Sequence, residues 1–500
     1  MANKSTWLSR SAGILLPVSS LPSKYGIGTF GKAAYRWVDF LAQAKQKYWQ
    51  VLPLGPTSYG DSPYQSFSAF AGNPYFIDLN LLCEQGLLDR EDCKAITWGK
   101  SKRRVDYDTV YEHRAAVLHK AFEHFLDTKA LDRFRRKHRA WIEDYALYMA
   151  VKAKMDLKPW NEWDEDIRMR RPEALKKWRA QCREEIDYTI FVQYLFYDQW
   201  GKLKKHANKK GVKIIGDAPI YVAMDSADVW ANPQLFQLDE NNVPTEVAGC
   251  PPDAFSEDGQ LWGNPLYRWE VMEKDGFSWW LKRLKANLTT VDVLRIDHFR
   301  GLESYYAIPY GDTTARNGRW RKGPGKAFVD AVNREFGGAA IIAEDLGYLT
   351  PAVHRLLKSS GYPGMKVLEF AFDSREESDY LPHNYPKNCV VYTGTHDNET
   401  VRGWFSTADP ADVATAREYL GLSNDKDGNW AFIRAALGSV ADLAIVPMQD
   451  YLDLGSEARI NTPSTLGGNN WRWRMTKNQP TEELAKKIAR LTELYGRARK

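Results

Sequence analysis

The stretch VDVLRIDHFRG, Val291 to Gly301, decides how the rest of the chain is interpreted. Its first six residues are mostly β-branched or apolar, as in a buried β-strand. Arg295 and Asp297 interrupt this pattern two positions apart, so their side chains face the same side of the strand. A charged pair on a buried strand costs free energy unless the charges are paired or have a function. We therefore expect Arg295 to pair with Asp297, which keeps this carboxylate ionised and oriented.

Seven further short apolar runs resemble this strand, and each ends in polar residues or in glycine or proline. Most are continuous rather than alternating, which is typical of parallel strands covered by helices. Helical segments separate the later runs, namely 278–288, 326–336 and 350–359, the last with Pro351 at its first helical position. The eight predicted strands are 13–18, 48–54, 212–222, 291–297, 339–345, 365–373, 389–397 and 442–450.

This alternation predicts an α/β fold, a (β/α)8 TIM barrel. The alternative is an open doubly wound sheet, which normally carries a glycine-rich dinucleotide motif that this sequence lacks. The longest gap, between predicted strands two and three, is strongly helical. We therefore expect a large, mainly helical insertion subdomain at 80–205, and smaller loop insertions, within a single catalytic domain spanning 1–500. Because only one helix follows NWRWR (470–474), we expect no C-terminal β-sandwich.

The composition argues against several classes of protein. Apolar residues make up 44% of the chain and charged residues 27%, as in soluble globular proteins, and no apolar run is long enough to span a membrane. The net charge of +5 is a small excess, and no nucleic-acid-binding motif accompanies the basic clusters. We expect neither nucleic acid nor a membrane as a partner.

The cysteines indicate the compartment. There are five, scattered and without a CxxC pair, which indicates reduced thiols rather than a disulfide framework or a zinc site. We expect a cytoplasmic protein, or a plastid protein if the source is a plant or alga, and we expect no metal ion or other cofactor.

Acidic residues close several predicted strands, and such positions in a barrel tend to be catalytic. An ionised aspartate and a separate glutamate on neighbouring strands suit retaining glycoside chemistry. Asp297, beside Arg295, is the predicted nucleophile. Glu344, with no cation next to it in the sequence, is the predicted acid/base with a raised pKa. Asp397 is predicted to stabilise the positive charge of the transition state, and Asp217 closes a further strand.

Three strand ends, RIDHFRG, IIAEDLG and TGTHDNETVRGW, resemble the catalytic motifs of the 4-α-glucanotransferases, the amylomaltase or disproportionating-enzyme family related to the α-amylases. The resemblance implies transfer of α-1,4-glucan segments from a donor maltodextrin to the 4-OH of an acceptor glucan or glucose. It implies a retaining double displacement, with Asp297 as nucleophile, Glu344 as acid/base and Asp397 as transition-state stabiliser. It covers nearly the whole chain, including 55–79, 216–233, 251–267 and 470–474.

The resemblance also implies which residues bind the substrate. Tyr64 is expected beside the catalytic subsite, and Asp253, Phe255 and Trp262 are expected in a loop, Gly249 to Asn264, that covers the acceptor side and excludes water. The full expected set is Tyr64, Asp217, Asp253, Phe255, Trp262, Arg295, His298, His396, Asn398 and Asn470.

Two other functions are alternatives. An α-amylase-type hydrolase would use the same acids, but such enzymes typically place Lys-His after the nucleophile, where this chain has His298-Phe299-Arg300. A non-catalytic glucan-binding protein would not need all three carboxylates, so their joint presence disfavours it.

Overall fold

The computed structural model describes residues 7–252, 256–347, 349–375 and 378–498, with the side chains of residues 59 and 425 excepted. Within this part the chain forms two sheets. The strands are β1 Ser11–Leu15, β2 Tyr48–Gln50, β3 Lys213–Ala218, β4 Glu246–Cys250, β5 Gln260–Pro265, β6 Val293–Ile296, β7 Ser304–Pro309, β8 Arg319–Lys322, β9 Ile341–Ala343, β10 Gly364–Val367, β11 Cys389–Tyr392 and β12 Leu443–Pro447.

The first sheet is a nearly closed barrel. Its eight strands are parallel and hydrogen-bonded in the order β10-β11-β12-β1-β2-β3-β6-β9. Between the two outer strands, the Ala343 amide donates to the Pro363 carbonyl at 2.9 Å, so the ring approaches closure there. Each predicted strand overlaps one of these eight, and the predicted TIM barrel is confirmed.

The described residues form nineteen α-helices. The three predicted between late strands correspond to α12, α13 and α14, and Thr350 caps α14 by accepting from the Val353 amide. None of the helices described is both long and apolar enough to cross a membrane. They are α1 Lys32–Gln43, α2 Leu79–Glu84, α3 Arg90–Lys94, α4 Tyr107–Glu123, α5 Thr128–Lys137, α6 Ile142–Lys154, α7 Glu165–Arg168, α8 Pro172–Gln181, α9 Arg183–Lys209, α10 Ala227–Ala231, α11 Trp269–Lys274, α12 Ser278–Thr290, α13 Gly325–Glu335, α14 Pro351–Ser360, α15 Val401–Thr407, α16 Pro410–Leu420, α17 Gly428–Gly438, α18 Met448–Tyr451 and α19 Glu482–Leu494.

Helices α2 to α9 lie between β2 and β3, where the sequence predicts a helical insertion. The long helix α9 packs on the barrel through large aromatic rings. The Trp200 ring lies 6.2 Å from that of Trp49 in β2, and Phe196 lies 5.2 Å from Phe30. The helices therefore share an apolar core with the barrel, while the bounds 80 and 205 and the division into domains stay predictions.

The second sheet was not predicted. It is antiparallel, with the order β5-β4-β7-β8, and the end of β4 and most of β5 overlap the segment 249–264 that was expected to be a loop. Trp262 therefore lies on β5 rather than in a loop. The prediction missed this because the sheet depends on pairing between β4 and β7, which are about 60 residues apart, and local periodicity does not show such pairing.

The barrel interior explains the charged residues of the opening stretch. Side chains alternate along a strand, and Val293 belongs to the apolar cluster inside the barrel, together with Ile215 and Ile342. Residues two positions further along each strand face the same way. Arg295 therefore points inward, with Asp217 on β3 and Glu344 just after β9, at the carboxyl end of the barrel.

Candidate active site

The centre of the site is a buried arginine held between two carboxylates. Arg295 is 4% exposed. Its Nη1 lies 2.7 and 2.8 Å from the two carboxylate oxygens of Asp217, and its Nη2 lies 2.9 Å from Oδ1 of Asp297. The expected pair with Asp297 is present. The second partner, Asp217, lies opposite Arg295 in the β3–β6 register, which the sequence alone does not reveal.

Asp217 connects this arginine to a stack of rings. The Tyr64 hydroxyl donates to Oδ2 of Asp217 at 2.7 Å. The Tyr64 ring in turn stacks on His396, with centroids 5.1 Å apart and planes inclined by 15°, and lies 5.9 Å from Trp471. Burial, and next the charge of Asp217, raise the pKa of Tyr64 far above its usual value, so this phenol stays a neutral hydrogen-bond donor.

Glu344 follows β9 directly and lies beside Asp297, because Ile296 and Ala343 are partners in the parallel register of β6 and β9. Glu344 is 8% exposed and accepts hydrogen bonds from the backbone amides of His298, at 2.7 Å, and Leu346, at 2.6 Å. Burial and the negative charge of Asp297 raise its pKa to about 7, against the opposing effect of Arg295 and the two amides. This is the raised pKa that the sequence predicts.

His298 occupies a strained position next to these acids. Its backbone is left-handed, with φ of 50° and ψ of 49°, which is uncommon for a residue other than glycine. This conformation aims its amide at Glu344. Burial lowers the pKa of the His298 ring to about 4, so the ring is neutral near pH 7. It stands edge-on to Trp262, with ring centroids 4.9 Å apart and planes inclined by 89°.

Asp397 lies after β11, and neighbours from two parts of the chain hold it. Nε2 of His396 lies 3.3 Å from Oδ2, and Nδ2 of Asn461 donates to Oδ1 at 2.6 Å. Desolvation by itself raises the pKa of Asp397, but these two contacts outweigh it and hold that pKa at about 2. The carboxylate is ionised at neutral pH, and its side chain is 44% exposed, so one face is open to a ligand.

Asn461 and Arg459 are site residues that the sequence interpretation missed. The backbone amide of Asn461 also donates to the backbone carbonyl of His396 at 3.0 Å. Nη2 of Arg459 donates to the carbonyl of Asp397 at 2.8 Å, and its Nη1 lies 3.4 Å from Glu399. Both residues lie in an irregular segment about 60 residues beyond Asp397, where no periodicity or motif marks them.

Four of the expected binding residues stay predictions. Asp253 and Phe255 lie outside the described residues. The Oδ1 of Asn398 accepts from the amide and hydroxyl of Thr395 within its own turn. The Asn470 side chain is buried and bonds to the 462–465 segment through both of its polar atoms, so its visible contacts hold a loop together.

The other expected residues converge. Tyr64, Asp217, Trp262, Arg295, His298 and His396 surround the carboxylates Asp297, Glu344 and Asp397 at the carboxyl end of the barrel. The class defined by fold and site is therefore a TIM-barrel enzyme with carboxylates arranged for chemistry at a glycosidic bond.

Comparison with known proteins narrows this class. The family model of 4-alpha-glucanotransferase matches residues 16–479. A 4-alpha-glucanotransferase of Clostridium butyricum is 52% identical over 484 residues, covering 96% of this chain and 99% of that protein. One of Thermus thermophilus is 47% identical, covering 98% of this chain and 99% of that protein.

Solved structures agree. The amylomaltase of Streptococcus agalactiae in complex with acarbose has a TM-score of 0.95 and 42% identity, covering 98% of this chain and all of that one. The amylomaltase of Corynebacterium glutamicum, at 19% identity, has a TM-score of 0.79 over 97% of this chain and 75% of that one, which shows a shared fold. This chain belongs to the 4-alpha-glucanotransferase family.

Proposed function

We propose that this glucanotransferase moves α-1,4-glucan segments by a retaining double displacement, with Asp297 as nucleophile and Glu344 as acid/base. The observation that carries the proposal is the contrast between two neighbouring carboxyl groups. The carboxylate of Asp297 is held in an ion pair by the buried guanidinium of Arg295, whereas the raised pKa of Glu344 leaves about half of it protonated near pH 7.

In the first displacement, an oxygen of Asp297 attacks the anomeric carbon of the donor glucan. Glu344 gives its proton to the departing glycosidic oxygen, and the leaving chain diffuses away with a new 4-OH. The product is a covalent glycosyl-enzyme ester on Asp297. The two backbone amides on Glu344 then hold its carboxylate in place for the return step.

In the second displacement, Glu344 accepts the proton of the acceptor 4-OH as that oxygen attacks the anomeric carbon. The ester bond to Asp297 breaks, and an α-1,4 bond forms with the original configuration retained. Both residues return to their starting protonation states. For transfer to occur, a sugar hydroxyl rather than water must attack the ester. The residues that line the site and exclude water are therefore as important for transfer as the acids.

Asp397 and Arg295 act electrostatically and form no covalent bond with the substrate. Asp397 is ionised and open on one side, and it supplies negative charge opposite the oxocarbenium-like transition state. Arg295 fixes the orientation of Asp297 while Asp217 compensates the remaining guanidinium charge. Tyr64 and Trp262 provide ring surfaces near the acids, suited to stacking on the apolar faces of glucose units.

Incubation with maltotriose tests the proposal. Transfer yields glucose together with a ladder of longer maltodextrins, which chromatography separates. A steady rise in reducing ends without longer products would identify a hydrolase instead. No reaction at all would indicate a non-catalytic glucan-binding protein.

We also propose a reducing, cytoplasmic environment. All five cysteines are free thiols, and the neighbouring Cys83 and Cys93 hydrogen-bond to each other instead of forming a disulfide. Thiol titration of freshly isolated protein tests this, because five reactive thiols in denaturant are expected and a lower number would contradict it.

A further inference from the structure

A second aromatic surface lies on the small antiparallel sheet, away from the rings that surround the catalytic acids. All 19 tryptophans of the chain are within the described residues, and Trp320 on the edge strand β8 is the one that is exposed, at 41%. Large aromatic rings are normally buried, and an exposed ring rimmed by polar groups marks a binding site more often than a random surface position does.

Two neighbours hold the Trp320 ring in place. The guanidinium carbon of Arg300 lies 3.8 Å from the ring centre and covers one face. Tyr306, its cross-strand partner on β7, meets it edge-on, with centroids 5.2 Å apart and planes inclined by 67°. The exposed area therefore belongs to the opposite face, which is flat and already fixed in orientation. A fixed ring loses little conformational entropy when a ligand stacks on it.

Two charged side chains, one on β8 and one just before β7, lie near the ring. Lys322 lies two positions along β8, is 80% exposed, and forms an ion pair of 2.6 Å with Glu303. The ammonium offers donors and the carboxylate offers acceptors, which is the set that sugar hydroxyls need. Protein interfaces, by contrast, are depleted of lysine and glutamate at their centres, so these surroundings disfavour a protein partner.

We propose that Trp320, with Lys322 and Glu303, forms a surface-binding site for an α-1,4-glucan chain, separate from the catalytic cleft. This proposal rests on the proposed function for its choice of ligand, because the polymer that the enzyme rearranges is the sugar it meets. The ring faces a glucose unit from one side, and the ion pair contacts the hydroxyls at the edge of that unit.

The position of this surface relates it to catalysis. Arg300, beneath the ring, is three residues beyond Asp297 in the chain, and β5 of the same sheet carries Trp262. A long glucan held at Trp320 thus has its other segments at high local concentration near the cleft, whereas maltotriose is too short to benefit. The site should affect reactions of polymers and leave those of short donors unchanged.

Affinity electrophoresis in native gels containing glycogen measures polymer binding directly. We expect Trp320→Ala to weaken the retardation by roughly five- to thirtyfold in apparent dissociation constant, as for loss of one stacking contact. Tyr419→Ala is the matched control, because Tyr419 on α16 is similarly exposed, at 40%, and outside this sheet. The kcat/KM for maltotriose should be unchanged in both variants, while that for amylose falls in the Trp320 variant.

Measuring glycogen binding in the Asp297→Asn variant, which is expected to be inactive, tests the surface site independently of the proposed reaction. If Asp297→Asn protein is still retarded by glycogen and adding Trp320→Ala weakens that retardation by the same factor as in the wild type, the surface site stands whatever reaction the acids perform. If Trp320→Ala fails to fold, Trp320→Phe should keep most of the binding, and Lys322→Met should weaken it. Retardation and amylose kinetics equal to wild type in the Trp320 and Lys322 variants would overturn the proposal.

Discussion

Arg295 Nη2 lies 2.9 Å from Oδ1 of Asp297, and the two residues are two positions apart on one strand end. Their side chains share the inner side of the barrel, at its carboxyl end and beyond the apolar residues that fill its interior. The buried guanidinium is itself balanced by Asp217, which is bound to its other terminal nitrogen. The charged triad is therefore a single unit, and replacing one member alters the other two.

The first prediction concerns the roles of the two acids. Asp297→Asn should abolish formation of the covalent intermediate, because a neutral amide is a poor nucleophile. Glu344→Gln should slow both displacements with maltodextrins, yet an activated glycosyl fluoride should still label the protein, since fluoride leaves without protonation. Mass spectrometry of the trapped peptide identifies the labelled residue. A label on Glu344 in the Asp297→Asn variant would exchange the two assignments.

The second prediction is the pH dependence of the first displacement. Glu344 must carry a proton to assist departure of the leaving chain, and its pKa is raised to about 7. The kcat/KM for maltotriose should therefore be constant below about pH 7 and fall about tenfold per pH unit above it. With a glycosyl fluoride donor this decline should be absent from the labelling rate.

His396 provides the control for this assignment, because its pKa is also raised: the charge and hydrogen bond of Asp397 outweigh the opposite effect of burial. The variant His396→Asn should lose activity but keep the same alkaline decline in kcat/KM. A decline that disappears in this variant would mean that His396, and not Glu344, sets the pH profile.

The third prediction concerns Asn461, whose amide group donates to Asp397 at 2.6 Å. Asn461→Ala should lower kcat by roughly 10- to 100-fold, since a hydrogen bond to a charged group contributes about 1.5–3 kcal/mol and the carboxylate loses its fixed orientation. KM for maltotriose should change less than kcat. Asn424→Ala, at an exposed asparagine, is the control, and an equal loss of activity in both variants would refute the positioning role.

The fourth prediction concerns stability. Asp450 is 1% exposed, and burial raises its pKa to about 6 although Thr393 and the Val401 amide donate to it. An unfolded aspartate has a pKa of about 3.9, so the folded protein binds more protons between these values. Stability contributed by this group is therefore full below about pH 4 and is lost as pH rises to about 6, by about 3 kcal/mol in total.

Asp450→Asn removes this titration and keeps both hydrogen bonds. The Asn oxygen can accept from the Val401 amide, and its NH2 group can donate to the Thr393 hydroxyl. The difference in unfolding free energy between variant and wild type should thus shift in favour of the variant between pH 4 and pH 7. Denaturant titrations at several pH values measure it. A difference that does not change with pH would show that Asp450 ionises in the folded protein as it does in the unfolded chain.

The sequence by itself determined the barrel and the side of each strand that carries charge. Strand periodicity fixes whether a side chain faces inward, so Arg295 and Asp297 in VDVLRID could be predicted to share one side and to pair. The raised pKa of Glu344 could also be predicted, because this acid closes an apolar strand and has no cation next to it in the sequence. In the structure, burial and the charge of Asp297 outweigh the opposite effect of Arg295.

Only the tertiary structure decided which distant groups complete the site. Asn461 reaches Asp397 across 64 positions, and the pairing of β4 with β5 places Trp262 on a strand instead of in a loop. The side chains of Asn398 and Asn470, two of the expected sugar-binding residues, form hydrogen bonds within their own segments that the sequence does not reveal. Local patterns encode the direction of a side chain, whereas its partner depends on how remote segments pack, and that packing is a property of the whole chain.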